Sequence, residues 1–113
     1  METVSRENAE HYVWGGQCDG WHLVKTPDLS IIEENVPSGC SEVRHVHVRS
    51  GQFFYVLSGT ATVEVDGHVH ALHSNQGLYI PAGKPHQLCN RHGSDLMFIV
   101  VSAPPSHGDR VEA

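Results

Sequence analysis

Turn-forming residues interrupt this chain so often that they leave little room for a long helix. Thr26-Pro27-Asp28, Pro37-Ser38-Gly39, Ser58-Gly59, Asp66-Gly67 and Pro81-Ala82-Gly83 follow one another at short intervals. Proline and glycine at such points end regular structure. The runs between them are short, rich in branched and aromatic residues, and hold no helical period. They read as strands over 21–25, 29–36, 43–49, 52–57, 60–65, 68–72, 78–80, 86–89 and 95–101. Asp66-Gly67 is a two-residue hairpin signal that joins 60–65, where Val63 and Val65 alternate with Thr62 and Glu64, to 68–72. The run 52–57 is apolar on both faces and is expected to be covered on both sides. So many short strands at regular spacing imply an all-β sandwich or barrel.

A chain of 113 residues supports one core and not two. Residues 1–19 read as an N-terminal extension, 20–102 as the barrel, and 103–113 as a tail that opens on Pro104-Pro105 and forms a flap or a loose end. A net charge of −6 with only seven Lys and Arg argues against nucleic acid, because neutralising phosphates needs a basic face. No apolar run approaches the roughly 20 residues of a membrane helix. The polar, acidic start from Met1 to Glu10 does not resemble a secretory signal, so a cytoplasmic protein is expected. Cys18, Cys40 and Cys89 have no paired spacing and are expected as free thiols packed like small hydrophobes. Cys40 and Cys89 lie near the histidine motifs, but their spacing suits thiolate ligands poorly.

The chemistry concentrates in His45-Val46-His47. On a strand, residues two apart point to the same face, so both imidazoles reach one space. Val43, His45, His47 and Arg49 then share a face, as do Gln52, Phe54 and Val56 on the next strand, and His86, Leu88 and Asn90 on a later one. His86 follows the Pro81-Ala82-Gly83 turn, and a strand pairing would bring it beside the first two rings. Three neutral imidazoles in one place are a metal site, with Gln52 entering the same cavity. The remaining histidines (His11, His22, His68, His70, His73, His92 and His107) read as surface or turn residues. Trp14, Trp21, Phe53 and Phe54 read as core or interface. Phe53, Tyr55 and Leu57 give the ligand strand an apolar outer face, which predicts a homodimer.

These spacings resemble those of the small single-domain cupins. Gly39, His45, His47, Gln52 and Gly59 match the first motif of that family, and Pro81, Gly83, His86 and Asn90 match the second. The second motif's opening glycine falls on Asn75, a residue that tolerates left-handed backbone. The resemblance implies a cupin-type jelly-roll β-barrel with a metal at one end. It departs from most members at Gln52, where a glutamate is usual. The cupins that linearise unsaturated uronates are similar in using three histidines and a glutamine, and in continuing Gln-x-x-Tyr-Val, here Gln52-Phe53-Phe54-Tyr55-Val56.

The resemblance thus implies one divalent ion, zinc, nickel, manganese or iron, on His45, His47, Gln52 and His86. An amide in place of a carboxylate leaves the centre at +2, a stronger Lewis acid. The expected activity is on a small oxygen-rich substrate, a sugar acid or keto acid, by isomerisation or ring opening. Arg49 or Arg110 would hold a substrate anion, and Asp109 would serve as acid or base if the tail folds over the mouth. Two other readings are a mononuclear iron dioxygenase, disfavoured by the missing carboxylate ligand, and a non-catalytic module that binds a small ligand.

Overall fold

The alternation of the sequence resolves into two antiparallel sheets facing one another. The computed structural model describes residues 1–113. Its strands are β1 (Glu10–Trp14), β2 (Cys18–Lys25), β3 (Ser30–Val36), β4 (His45–His47), β5 (Gly51–Ser58), β6 (Ala61–Val65), β7 (His68–Leu72), β8 (Gly77–Ile80), β9 (His86–Cys89), β10 (Leu96–Ala103) and β11 (Arg110–Glu112). One sheet runs in the order β1-β2-β3-β10-β5-β8 and the other β11-β4-β9-β6-β7. No helix is present, and the architecture is the expected all-β jelly roll.

The core is the set of alternate side chains that face between the sheets. Val36, Phe54, Val56, Leu96, Phe98 and Val100 come from the first sheet, and Ala61, Val63, Leu72 and Leu88 from the second. Truncating a ring such as Phe98 in this layer costs about 3–5 kcal/mol. The hairpin at Asp66-Gly67 forms as expected, with φ of 54° and 88° at its two central residues, the primed geometry that suits strand twist. Asn75 takes φ 66°, the left-handed conformation that the glycine of the second motif would supply.

Four local expectations change. Regular pairing of the histidine strand covers only His45–His47, because the chain bends from Val48 and buries Ser50. Strand β5 is covered on one face alone: Gln52, Phe54 and Val56 are buried, whereas Phe53 and Leu57 remain 38% and 37% exposed. The stretch 1–19 carries β1 and the start of β2, which extend the first sheet beside β3. The tail is no loose end, since β11 pairs with β4 and sets Arg110 opposite His47 and Glu112 opposite His45.

Candidate metal centre

Strand pairing assembles the site. His45 and His47 point the same way along β4, and β9 places His86 directly opposite His45. The three rings form a buried group, at 3%, 5% and 1% exposure, with ligand atoms all within 4.8 Å of one another. Gln52, buried on β5 of the facing sheet, lines a cavity together with His45 and His47. No cysteine joins the group; Cys18, Cys40 and Cys89 are free thiols.

The hydrogen bonds behind the rings decide which nitrogen is free. His45 Nδ1 lies 2.8 Å from the Val43 carbonyl, His86 Nδ1 2.9 Å from that of Lys84, and His47 Nδ1 3.2 Å from that of Asp109. Each Nδ1 therefore donates its proton to backbone, and each Nε2 keeps a bare lone pair, as in metal-ligating histidines. His45 Nε2 and His47 Nε2 sit 3.1 Å apart. Two nitrogens about 2.1 Å from one ion and at right angles lie about 3.0 Å apart, so this spacing is that of two ligands sharing a cation. Facing lone pairs with no proton between them repel unless a cation intervenes.

Two further atoms support the fit. His86 Nε2 and Gln52 Oε1 are buried without any hydrogen-bond partner, a costly condition in a folded interior. Gln52 Nε2 donates to Ser102 Oγ at 3.0 Å, which fixes the amide and turns its oxygen away from that bond. The residues thus fit a divalent ion. Burial also holds the rings in their neutral, ligating form: it lowers the pKa of His47 and His86 and takes His45 down to about 4.

A cavity of about 530 Å³ opens over His45, His47 and Gln52, a size suited to a small molecule. Its walls hold ionisable groups that the sequence reading passed over. Glu34 and Glu42 both line it, and burial pushes their carboxyls up to about 8 and about 7. For Glu34, the charge of Glu42 adds to the rise, while the Trp14 indole and Arg110 temper it. Glu42 accepts the Leu88 N–H at 3.0 Å and lies 3.8 Å from His45 Nδ1. Tyr12 sits across Gly20 from Glu34, in one row of paired residues. A Cβ at Gly20 would come within 2.3 Å of the Tyr12 ring, so only glycine lets the ring lie over the strand. Strand parity was the available signal for Glu34, which alternates with Ser30, Ile32 and Val36 on the inward side of β3.

The other expected site residues divide. Arg110 lines the cavity mouth and donates from Nη2 to the Val43 carbonyl at 3.0 Å. Asp109 does not line it: its Oδ2 accepts the backbone N–H groups of Arg49 and Ser50, both at 2.8 Å, and so clips the tail to the barrel. Those two N–H donors hold its pKa below the ordinary carboxylate value. What the structure gives Asp109 is a positioning role for the tail. Arg49 lies outside the metal cavity because the chain leaves the strand after His47. His22 and His107, read as bystanders, both line the cavity. His11, His68, His70, His73 and His92 are exposed as expected.

Known proteins resemble this chain in sequence and in fold. The chain is 31% identical to mannose-1-phosphate guanylyltransferase of Escherichia coli over 90 residues, 80% of this chain and 19% of that protein. It spans about a fifth of the length of the curated relatives it matches. Among solved structures, an RmlC-like cupin from Shewanella frigidimarina superposes with a TM-score of 0.85 at 21% identity, covering 96% of this chain and 95% of the other. KdgF from Halomonas gives 0.84 at 20% identity, covering 93% and 94%. At these identities the structural likeness speaks for the fold. The cupin-domain family model matches residues 32–102, which include both histidine motifs and most of the barrel, and the chain belongs to the cupin family.

Proposed function

We propose that this cupin binds one divalent metal ion through His45, His47, Gln52 and His86 and acts on a small oxygen-rich molecule, a sugar acid or keto acid, by isomerisation or ring opening. The observation that carries the reading is the buried cluster of three histidines whose Nδ1 atoms are committed to backbone carbonyls, beside a cavity lined by Gln52 with its amide oxygen unpartnered. When bound, such an ion would hold carbonyl and hydroxyl oxygens and polarise the carbonyl. No carboxylate stands among the donors, so the centre keeps its full +2 charge.

The chain's own groups supply the rest. Ser102 and the backbone carbonyls orient the donors. Glu34 lines the cavity and stands in no ion pair, and a pKa raised to about 8 lets it give or take a proton near neutral pH. Arg110 sits at the mouth, where a substrate anion would enter. The guanylyltransferase relative, named for a sugar phosphate, supports a sugar-like substrate.

The reading places the protein in the cytoplasm as a homodimer through Phe53, Tyr55 and Leu57, with light scattering expected to give twice 12.4 kDa. Elemental analysis of purified protein tests the metal: one equivalent per chain is expected, and no bound metal after incubation with zinc, nickel, manganese and ferrous ions would overturn the assignment. Oxygen uptake driven by ferrous ion would move the reading to a dioxygenase.

A further inference from the structure

A second cavity of about 390 Å³ adjoins the first, and its lining holds cationic side chains but no carboxylate. The inner cavity includes Glu10, Glu34 and Glu42 in its lining. The outer one is lined by Lys25, Arg49, His22 and His107 among neutral residues, with no carboxylate. His22, Lys25, Ile32, Ser106 and His107 line both, so the two spaces share a wall.

Lys25 reaches this wall because of a bulge. Strict alternation along β2 would send His22 and Lys25 to opposite faces. Pairing of β2 with β3 shifts between His22 and Val24, leaving Leu23 without a partner, after which Lys25 pairs with the buried Ser30. One extra residue reverses the parity and aims both side chains inward, as bulges beside functional sites do. Arg49, also in the lining, joins the hydrogen-bond network through its backbone N–H alone. The Asp109 clip on Arg49 and Ser50 ties that residue to the Pro104–His107 segment, so one carboxylate positions two walls of the space. The existing claims on these cations are light. Lys25 Nζ lies 3.3 Å from Glu10 in an exposed pair, a kind worth little. His22 Nδ1 is buried without a partner at the shared wall.

We propose that this vestibule binds an oxyanion, a carboxylate or phosphate group, through Arg49 and Lys25, and that it is the remote anionic end of the molecule whose other end reaches the histidine cluster. The proposal rests on the proposed function for the identity of that inner end, and it narrows the substrate to an elongated molecule bearing a terminal oxyanion. Arg49 offers a planar fork of donors that matches such a group, and Lys25 adds a second charge.

The test uses metal-free protein, so that no anion can bind through an ion. Inorganic phosphate and malonate are titrated separately while backbone amide shifts are followed by NMR. Saturable shifts at Arg49, Ser106 and His107 are expected, and the tighter of the two probes identifies phosphate or carboxylate as the preferred group. Arg49→Ala and Lys25→Ala should each weaken binding about tenfold, the scale of one charge-assisted contact. His45→Ala/His47→Ala should leave it within about twofold. Both cations are exposed, so well-dispersed spectra of each variant will show that the fold is kept. Absence of saturation by either probe, shifts confined to His45, His47 and His86, or unchanged affinity in Arg49→Ala would overturn the proposal. Metal stoichiometry measured on the same variants keeps the two readings apart: anion binding without metal binding sinks only the metal centre, and the reverse sinks only the vestibule.

Discussion

Two His-x-His pairs with identical spacing occupy this chain, and they have opposite fates. His45 and His47 lie on β4, whereas His68 and His70 lie on β7, both in the second sheet. One ring of each pair even belongs to the same row. His45 pairs with His86, His86 with Val65, and Val65 with His68, so all four side chains sit on one face of the sheet. Yet β4 lies inside the sheet between β11 and β9, while β7 is an edge strand. The inner rings are at most 5% exposed, and the outer pair is exposed to solvent. Spacing therefore aims two rings in one direction. What makes a site is a third ring on the neighbouring strand, carbonyls that fix the tautomers, and a covering sheet that supplies Gln52.

Removing the inner pair should produce the largest effect. His45→Ala/His47→Ala is expected to abolish metal binding, while His68→Ala/His70→Ala leaves stoichiometry unchanged in elemental analysis. Equal loss from both double variants would erase the distinction. A smaller effect is expected from Asp109→Ala, which leaves every ligand in place. It removes the clip on Arg49 and Ser50, and with it the fixed position of the carbonyl that orients His47. Metal affinity should fall about tenfold or more, as when an orienting partner of a ligand is lost. An affinity equal to that of the unaltered protein would show that the tail is dispensable to the centre.

Gln52→Glu probes what the covering sheet contributes. A carboxylate of the same reach should tighten metal retention by about tenfold, because it adds an anion beside the cation. It should lower turnover of whatever substrate is found, because it offsets the charge that polarises the carbonyl. Retention and turnover rising together would identify Gln52 as the remnant of a lost glutamate ligand. No change in either would remove Gln52 from the centre.

The smallest effect is on the pH profile of the metal-free fold. With His45 held at about 4 against an ordinary 6.5, and His47 and His86 also lowered, the denatured chain takes up protons before the folded chain does. These rings therefore cost stability as pH falls from 6.5 toward 4. Glu34 and Glu42 act in the opposite sense. Raised from 4.5 to about 8 and about 7, they keep their protons in the fold while the denatured chain loses them. Stability then falls as pH rises from 4.5 toward 8, and the two trends place the maximum at about pH 6. Thermal melts across this range check it; a Tm that climbs steadily from pH 6 to 8 would contradict the burial of the two carboxyls.

Much of the site was legible before any coordinates. Strand parity and motif spacing singled out His45, His47, Gln52 and His86; the three histidines form one buried cluster, and Gln52 lines the cavity beside His45 and His47. Two of the failures share one cause, a break in parity. Arg49 left the metal face because β4 ends at His47. Lys25 joined a cavity wall because β2 gains a residue at Leu23. Asp109, expected to do chemistry, ties down the tail through one carboxylate oxygen that accepts two N–H groups. Glu42 sits in the loop before β4, where no period applies, and was invisible to such reasoning.

By itself, the sequence determined what repeats locally: short strands, the Asp66-Gly67 hairpin, the left-handed Asn75, and the pair of imidazoles aimed one way. Those properties depend on backbone sterics and on neighbours within a few residues, so they are written in local order. Only the tertiary structure decided which His-x-His pair became a candidate centre, which carboxyls were driven toward neutral pH, and where the tail attached. Each of these depends on how much water a group keeps and which partners reach it from distant strands, and desolvation and long-range pairing exist only once the two sheets have closed on one another.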